Sequence, residues 1–289
     1  MGKTREIRKR MKAVGNIRRI TRTMQMIATA KFSASQSRAV AGRPYTDALF
    51  AMVNELAGAG GLEHPLLAGS SQTDAKGKEI TLIITSDRGL CGPYNGSILR
   101  TASKHLGDNA DAKAGNIEIV GKKGVTFAKF NEIEVAEAHS FGDNPSYEQI
   151  ESLAQRYIDG FEAGDVSKVT LVSMRFVSAG KQVPEVQQLL PLEPPAADET
   201  ASAPAEYEFS PAGPELLAEL LPAAIKARLF QAFNDAIISE HVARMVAMKA
   251  ATDNAGKMGK DLSRQYNRAR QAQITTELTE IISGAAALG

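Results

Sequence analysis

Between Thr4 and Ala57 the apolar positions fall three or four residues apart, at Ile7, Met11, Val14, Ile17, Ile20, Met24 and Ile27. That spacing lays one stripe along a helix. It weakens through SASQSRAVAGRPY, where Gly42 and Pro44 predict a bend. It resumes at Leu49, Met52, Val53 and Leu56, and GAGGLEHP ends it. At 1.5 Å per residue such a helix would run about 80 Å, more than a compact domain needs. The other end repeats the pattern. Beyond Pro214 the one proline is Pro222, tolerated near a first turn. Ile225, Leu229, Ile238, Val242 and Met245 keep helical spacing, followed by Ala255, Met258, Leu262, Tyr266 and Ala269, then Ile274, Leu278 and Ile281. This second helix would run about 100 Å. Two narrow stripes at opposite termini are satisfied by pairing with each other, and the returning chain makes the pair antiparallel.

The middle has a different period. EITLIITS, NIEIVG, a segment within EIEVAEAHSF, and KVTLVSMRFV read as four strands. Between them Tyr94 to His105, KKGVTFAKF and YEQIESLAQRYIDGF read as helices, the last capped by Asn144 or Ser146. Alternating strands and helices predict a small α/β, Rossmann-like domain with a mostly parallel sheet. The expected division is residues 1–57 as the N-terminal coiled-coil helix and 78–190 as the central α/β domain. Residues 191–211 form an acidic, proline-rich linker with a strand, and 212–289 the C-terminal coiled-coil helix. The expected fold class is thus α/β plus long helices, an antiparallel coiled coil around a central domain.

Charge changes this picture more than composition does. The chain of 289 residues is nearly balanced, with 34 Lys and Arg against 33 Asp and Glu. Yet residues 1–43 hold twelve cations and one acid, Glu6, while residues 190–220 hold seven acids and no Lys or Arg. One region is built to meet something negative. The single cysteine, Cys91, excludes an intrachain disulfide. No apolar run approaches the ~18 residues of a spanning helix, so any membrane role is expected to be peripheral.

The search for chemistry finds little. SDRGLCGPYNG follows a strand and precedes a helix, but Gly89, Gly92 and Gly96 do not match G-x-G-x-x-G. Cys91 there would need a His base, and His64, His105, His139 and His241 form no recognisable arrangement. A thiol packed at a helix start is the expected role. NAGKMGKD lacks the first glycine and final hydroxyl of a phosphate loop and lies mid-helix. No catalytic residue, cofactor or metal site is expected.

The basic residues survive this weighing. Lys257, Lys260, Arg264 and Arg268 form one positive stripe at spacings of three and four. Like charges so placed cost an isolated helix about 0.2–0.5 kcal/mol per pair. The helix expected to pair with it carries Arg5, Arg8, Arg10, Arg18, Arg19 and Arg22. DNA, anionic lipid or an acidic protein cavity would each neutralise the two.

Nearly the whole chain resembles the gamma subunit of the F-type, proton-translocating ATP synthase, bacterial type. The resemblance is carried by ITRTMQMIATAKF, SDRGLCG, GDNPS, QVPEVQQLLPL, ARMVAMKAATDNAGKM and YNRARQAQITTELTEIISGAAAL. It implies a non-catalytic rotor shaft that couples proton-driven rotation of a membrane ring to ATP synthesis or hydrolysis at the beta subunits. The implied partners are the alpha and beta subunits of the head, the epsilon subunit and the proteolipid c-ring. An inhibitory protein is a further candidate, and no nucleic acid is expected. The implied location is peripheral, at the cytoplasmic face of the bacterial inner membrane, with membrane contact only through the ring.

Carried over by position, the resemblance places Arg22, Met24 and Gln25 against acidic loops of beta. It places Arg270, Gln271 and Thr275 against loops that grip the upper shaft, with residues 278–288 as an apolar tip. The basic stripe would face beta. Tyr207 and Phe209 would lie in the foot near the ring, although Ser210 stands where a relative has an acid. The 191–205 linker lacks the paired cysteines of the chloroplast form, which implies no thiol switch. The competing class is a DNA-associated coiled-coil hinge protein, whose helical arms also leave and return to a globular middle.

Overall fold

The computed structural model describes residues 2–58, 64–67, 77–192 and 213–288. The chain forms two compact units, residues 1–30 with 244–289, and residues 31–243. Tyr207, Phe209 and most of the 191–205 linker lie outside the described residues.

The first unit is an antiparallel pair formed by the start of α1 (Gly2–Gly58) and the end of the C-terminal helix α6 (Gly213–Leu288). Its register is set by three contacts. The Thr4 hydroxyl donates to Gln273 at 2.9 Å, Arg18 lies over Gly256, and Thr252 meets Thr21 at 2.8 Å. On α1, Thr4, Ile7, Met11, Val14, Thr21, Gln25 and Ala28 are covered or half-covered and, with the exposed Arg18, follow a four-three repeat, while Met24 is half-covered beside it. On α6 the matching positions are Met248, Thr252, Ala255, Gly259, Leu262, Tyr266, Ala269 and Gln273. A strict seven-residue repeat is the seam of a left-handed coiled coil.

The sequence stripe therefore drifts off the true seam. Ile17, Ile20 and Ile27 are 51%, 57% and 52% exposed, and Met258 is exposed as well. The seam instead uses the smaller Thr21 and Ala28 of α1 and Gly259 of α6.

The second unit holds the sheet, in the order β3-β2-β1-β4-β5. The strands β1 (Lys78–Ile84), β2 (Asn116–Val120), β3 (Glu137–His139) and β4 (Val166–Ser178) are parallel. The last, β5 (Lys181–Leu190), returns antiparallel to β4 after a short turn. β5 lies beyond the four strands expected from the sequence, and it carries Pro184 on the edge of the sheet. At a sheet edge the missing N–H costs no ladder bond. β3 is shorter than EIEVAEAHSF suggested, and a five-residue helix at Ala110–Ala114 was missed.

Naming the helices in chain order, α2 is Tyr94–Asp108, α3 is Ala110–Ala114, α4 is Lys122–Phe130 and α5 is Tyr147–Glu162. α2 and α4 cover one face of the sheet, packing Ile98, Leu99 and Ala128 on Ile83, Ile119 and Val172. α5 covers the other with Ile150, Tyr157 and Ile158, joined there by Leu49, Val53 and Leu56 of α1 and Leu217 to Ala236 of α6. Burial on both faces explains why β1 is apolar from Ile80 to Ile84 apart from Thr81.

α1 continues as helix through Pro44. Proline removes one N–H bond, but Ala39 on one side and Leu49 and Val53 on the other are buried in the unit's cores. Ser146, not Asn144, caps α5, accepting from the Gln149 N–H while the Gln149 side chain accepts from the Ser146 N–H. This capping box satisfies two orphan donors at once.

Candidate functional site

The expected contact residues lie on the coil. Arg22, Lys257, Lys260, Arg264, Arg268, Arg270, Gln271 and Thr275 are all exposed, and Met24 and Gln25 are half-buried. Helical spacing keeps Lys257, Lys260, Arg264 and Arg268 on one face of α6. The register sets Arg22, Met24 and Gln25 near the level of Met248 to Thr252, beyond the end of that stripe. The cations are not left wholly to themselves, because Asp261 pairs with Arg264. Thr275 turns its hydroxyl back to the Gln271 carbonyl at 3.0 Å. Arg268 lines a groove of about 500 Å³ with Thr4, Ile7, Gln265 and Ala269 at the start of α1.

α1 is described from Gly2, just before the Thr4–Gln273 contact, and α6 runs on to Leu288 with its described side chains from Ile274 onward exposed. Ile274, Leu278, Ile281 and Ile282 are more than half exposed and share a face at steps of four, three and one. An apolar stripe open to water on a single helix is a surface that lacks its partner.

The turn after β1, where doubly wound folds hold phosphates, is bridged by its own side chains. Asn95 accepts from the Ser86 N–H at 3.0 Å, and the Ser86 hydroxyl donates to the Arg88 carbonyl at 2.7 Å. Asp87 takes the N–H of Lys122 at the start of α4. The Cys91 thiol is buried beneath, with the Asn95 amide 3.2 Å away, as a packed group. At Gly121, φ is +92°, and an added Cβ would lie 2.3 Å from the Thr85 carbonyl. NAGKMGKD is interior helix of α6.

One buried polar cluster was not legible in the sequence. Glu118 on β2 accepts from Arg156 at 2.6 Å, Tyr157 at 2.7 Å and His139 at 2.9 Å. Arg156 also pairs with Glu137, and Phe141 stacks on His139. Burial alone would push the Glu118 carboxyl up. The bonds from His139 and Tyr157 and the Arg156 charge outweigh it and hold the carboxyl below its ordinary range. Burial, then the Glu118 charge, pushes Tyr157 well above the phenol range. Glu118, Glu137 and His139 are the donor set among the described residues with metal-like spacing. The cation already lodged among them is the Arg156 guanidinium. The sequence signal was an acid inside an apolar strand, NIEIV. A second link ties Lys31 to Asp143. That bond, with Arg88 and His241 nearby, holds the Asp143 carboxyl below its usual value.

A heptad-paired coil of terminal helices, with the α/β sheet between them in the chain, is the architecture of a shaft-type protein. A family model described as ATP synthase matches residues 3–288. The ATP synthase gamma chain of Rhodopirellula baltica is 41% identical over 297 residues, covering 100% of this chain and 99% of the relative. That of Roseiflexus castenholzii is 40% identical over 292 residues at the same coverage. The chain belongs to the ATP synthase gamma chain family. Among solved structures, the Euglena gracilis mitochondrial ATP synthase in rotational state 3 contains a chain matching at TM-score 0.68. That chain is 18% identical, with 99% of this chain and 95% of that one covered. The central stalk and c-ring of the Tetrahymena thermophila enzyme gives TM-score 0.60 at 23% identity, covering 80% and 99%. These two show a shared fold. Family membership leaves the DNA-hinge reading without support.

Proposed function

We propose that this chain is the central rotor shaft of an ATP synthase, coupling ring rotation to ATP synthesis or hydrolysis at the beta subunits. The observation that carries this reading is the coil's end, where one helix outruns its partner and presents Ile274, Leu278, Ile281 and Ile282 above a cationic surface. A bare apolar tip on a charged rod suits a low-friction apolar bearing, and the cations below it suit acidic loops lining a cavity.

The chain does no chemistry itself, and the self-filled turn after β1 supports this. Lys257, Lys260, Arg264 and Arg268, with Arg22, Met24 and Gln25, face beta. Arg270, Gln271 and Thr275 meet the loops above. The 78–190 region with Tyr207 and Phe209 forms the foot toward the proteolipid ring and epsilon, and residues 1–57 and 212–289 form the shaft. An inhibitory protein is a further partner of the assembled complex. Among the described residues no helix is long and apolar enough to cross a membrane, which fits a peripheral place at the cytoplasmic face of the inner membrane.

Reconstitution of the purified chain with alpha and beta subunits tests the reading. One copy per head and ATP turnover that depends on the chain are expected. Heads that turn over ATP identically without it would overturn it.

A further inference from the structure

One loop of the second unit reaches both terminal helices. Residues 140–145 join β3 to α5, and the loop is braced at each end. Upstream, His139 bonds Glu118 at 2.9 Å and stacks on Phe141 with ring centroids 5.7 Å apart. Downstream, Pro145 is buried and Ser146 caps α5. Between these supports, Phe141 meets Phe233 of α6 edge-on at 5.5 Å, and Asp143 accepts a bond from Lys31 of α1. Asp143 and Pro145 share with Ala236 and Glu240 of α6 a cavity of about 30 Å³, room for little more than a water.

The Lys31 bond lies where α1 has little else to hold it. Leu49, Val53 and Leu56 sink the far end of this helix into the large core. From Lys31 to Ala48 the buried side chains, among those described, are Ser35 and Ala39. The apolar cluster there is small, with Ala39, Ile238 and Val242 at its centre and Phe32 and Phe176 beside them. A thin apolar contact leaves more of the attachment to a half-buried ion pair. The Lys31 bond first, then the Lys31, Arg88 and His241 charges, outweigh burial and hold the Asp143 carboxyl below its usual value. Side chains of α1, of α6 and of the turn after β1 therefore meet at one carboxylate.

We propose that Asp143 is a positioning residue and that residues 140–145 are a clamp. The clamp fixes α1 through Lys31 and α6 through Phe233 to the buried Glu118 network, so that turning of the sheet unit passes to both helices together. Its purpose rests on the rotor reading above, whereas its geometry does not.

Spin labels on Ser37→Cys and Asn144→Cys, both exposed positions, read the clamp in the free full-length chain, where the buried Cys91 takes no label. The unaltered pair should give one narrow distance. Asp143→Asn and Lys31→Gln should each raise the opened population about two- to fivefold, the range of a partly exposed ion pair. The two changes together should do no more than either alone, and Asp143→Glu should keep the distance narrow. In the vesicle-reconstituted synthase, Asp143→Asn should leave ATP hydrolysis by the detached head unchanged. It should lower ion-driven ATP synthesis per assembled complex, and Asp143→Glu should restore it. An unmoved distance in Asp143→Asn, additive effects of the two changes, or synthesis and hydrolysis falling in proportion would overturn the proposal. Label distances that respond as expected, with head turnover indifferent to the unaltered chain, would uphold the clamp and overturn the rotor reading instead.

Discussion

The Tyr157 hydroxyl and the Arg156 guanidinium, adjacent on α5, converge on a single oxygen of Glu118 at 2.7 and 2.6 Å. This ties α5 to β2 through a buried carboxylate. Because Glu118 sits below its ordinary 4.5, its contribution is fully present above that pH and is lost as pH falls through the lowered value. Glu118→Gln leaves Arg156 short of a partner. It should cost about 2 kcal/mol at pH 7, less than the ~3–5 of a fully buried pair because the Arg156 side chain is 44% exposed. Urea unfolding at pH 7 and pH 3 checks both parts, since the gap between the two proteins should shrink at the lower pH.

In the coil, the Thr252 hydroxyl lies 2.8 Å from both the Met248 carbonyl and Thr21, whose own hydroxyl reaches the Arg18 carbonyl at 3.1 Å. Thr252→Val should cost below about 1 kcal/mol, and adding Thr21→Val should recover most of it, since removing both partners leaves nothing unpaired. A thermal double-mutant cycle reads the coupling directly. Zero coupling would mean that the two hydroxyls act independently.

Changing Lys257, Lys260, Arg264 and Arg268 to Gln removes three like-charge neighbour pairs and one exposed ion pair with Asp261. Each is worth about 0.2–0.5 kcal/mol, so the free chain should stay within about 1 kcal/mol of its starting stability. The assembled complex should show weaker coupling of turnover to rotation, and the salt sensitivity of its assembly should fall. An unchanged salt response would mean that the stripe is merely solvated.

Deleting residues 274–288 removes a helix whose described side chains are exposed in the free chain. Its melting temperature should barely move. In the reconstituted head the same deletion should lower ATP turnover, because the apolar stripe finds its contact only there. A large drop in free-chain stability would show that the tip folds back.

Gly121→Ala combines a left-handed φ with a Cβ driven into the Thr85 carbonyl. The α/β unit should lose about 3 kcal/mol or more. Circular dichroism on heating would show this unit melting earlier.

Much of the fold is local and was readable for that reason. Three-four spacing needs no partner to declare a helix, and β1, β2 and β4 announce themselves as apolar runs because helices cover both faces. Ser146 with Gln149 encodes its own cap. The seam was not readable in the same way. Ile17, Ile20 and Ile27 outweigh Thr21 and Ala28 in any hydrophobic count, yet the latter two are buried and the three isoleucines are exposed. Which of two adjacent stripes is buried depends on how closely a helix more than two hundred residues away can approach, and small residues permit the closer approach. Pro184 is acceptable in β5 only because the sheet ends there. Glu118 is tolerable in a strand only because His139, Arg156 and Tyr157 are brought to it from 21 to 39 residues downstream. The sequence by itself determined the elements and the family. Tertiary structure decided the seam, the edge strand and the buried carboxylate, because each depends on a partner remote in the chain.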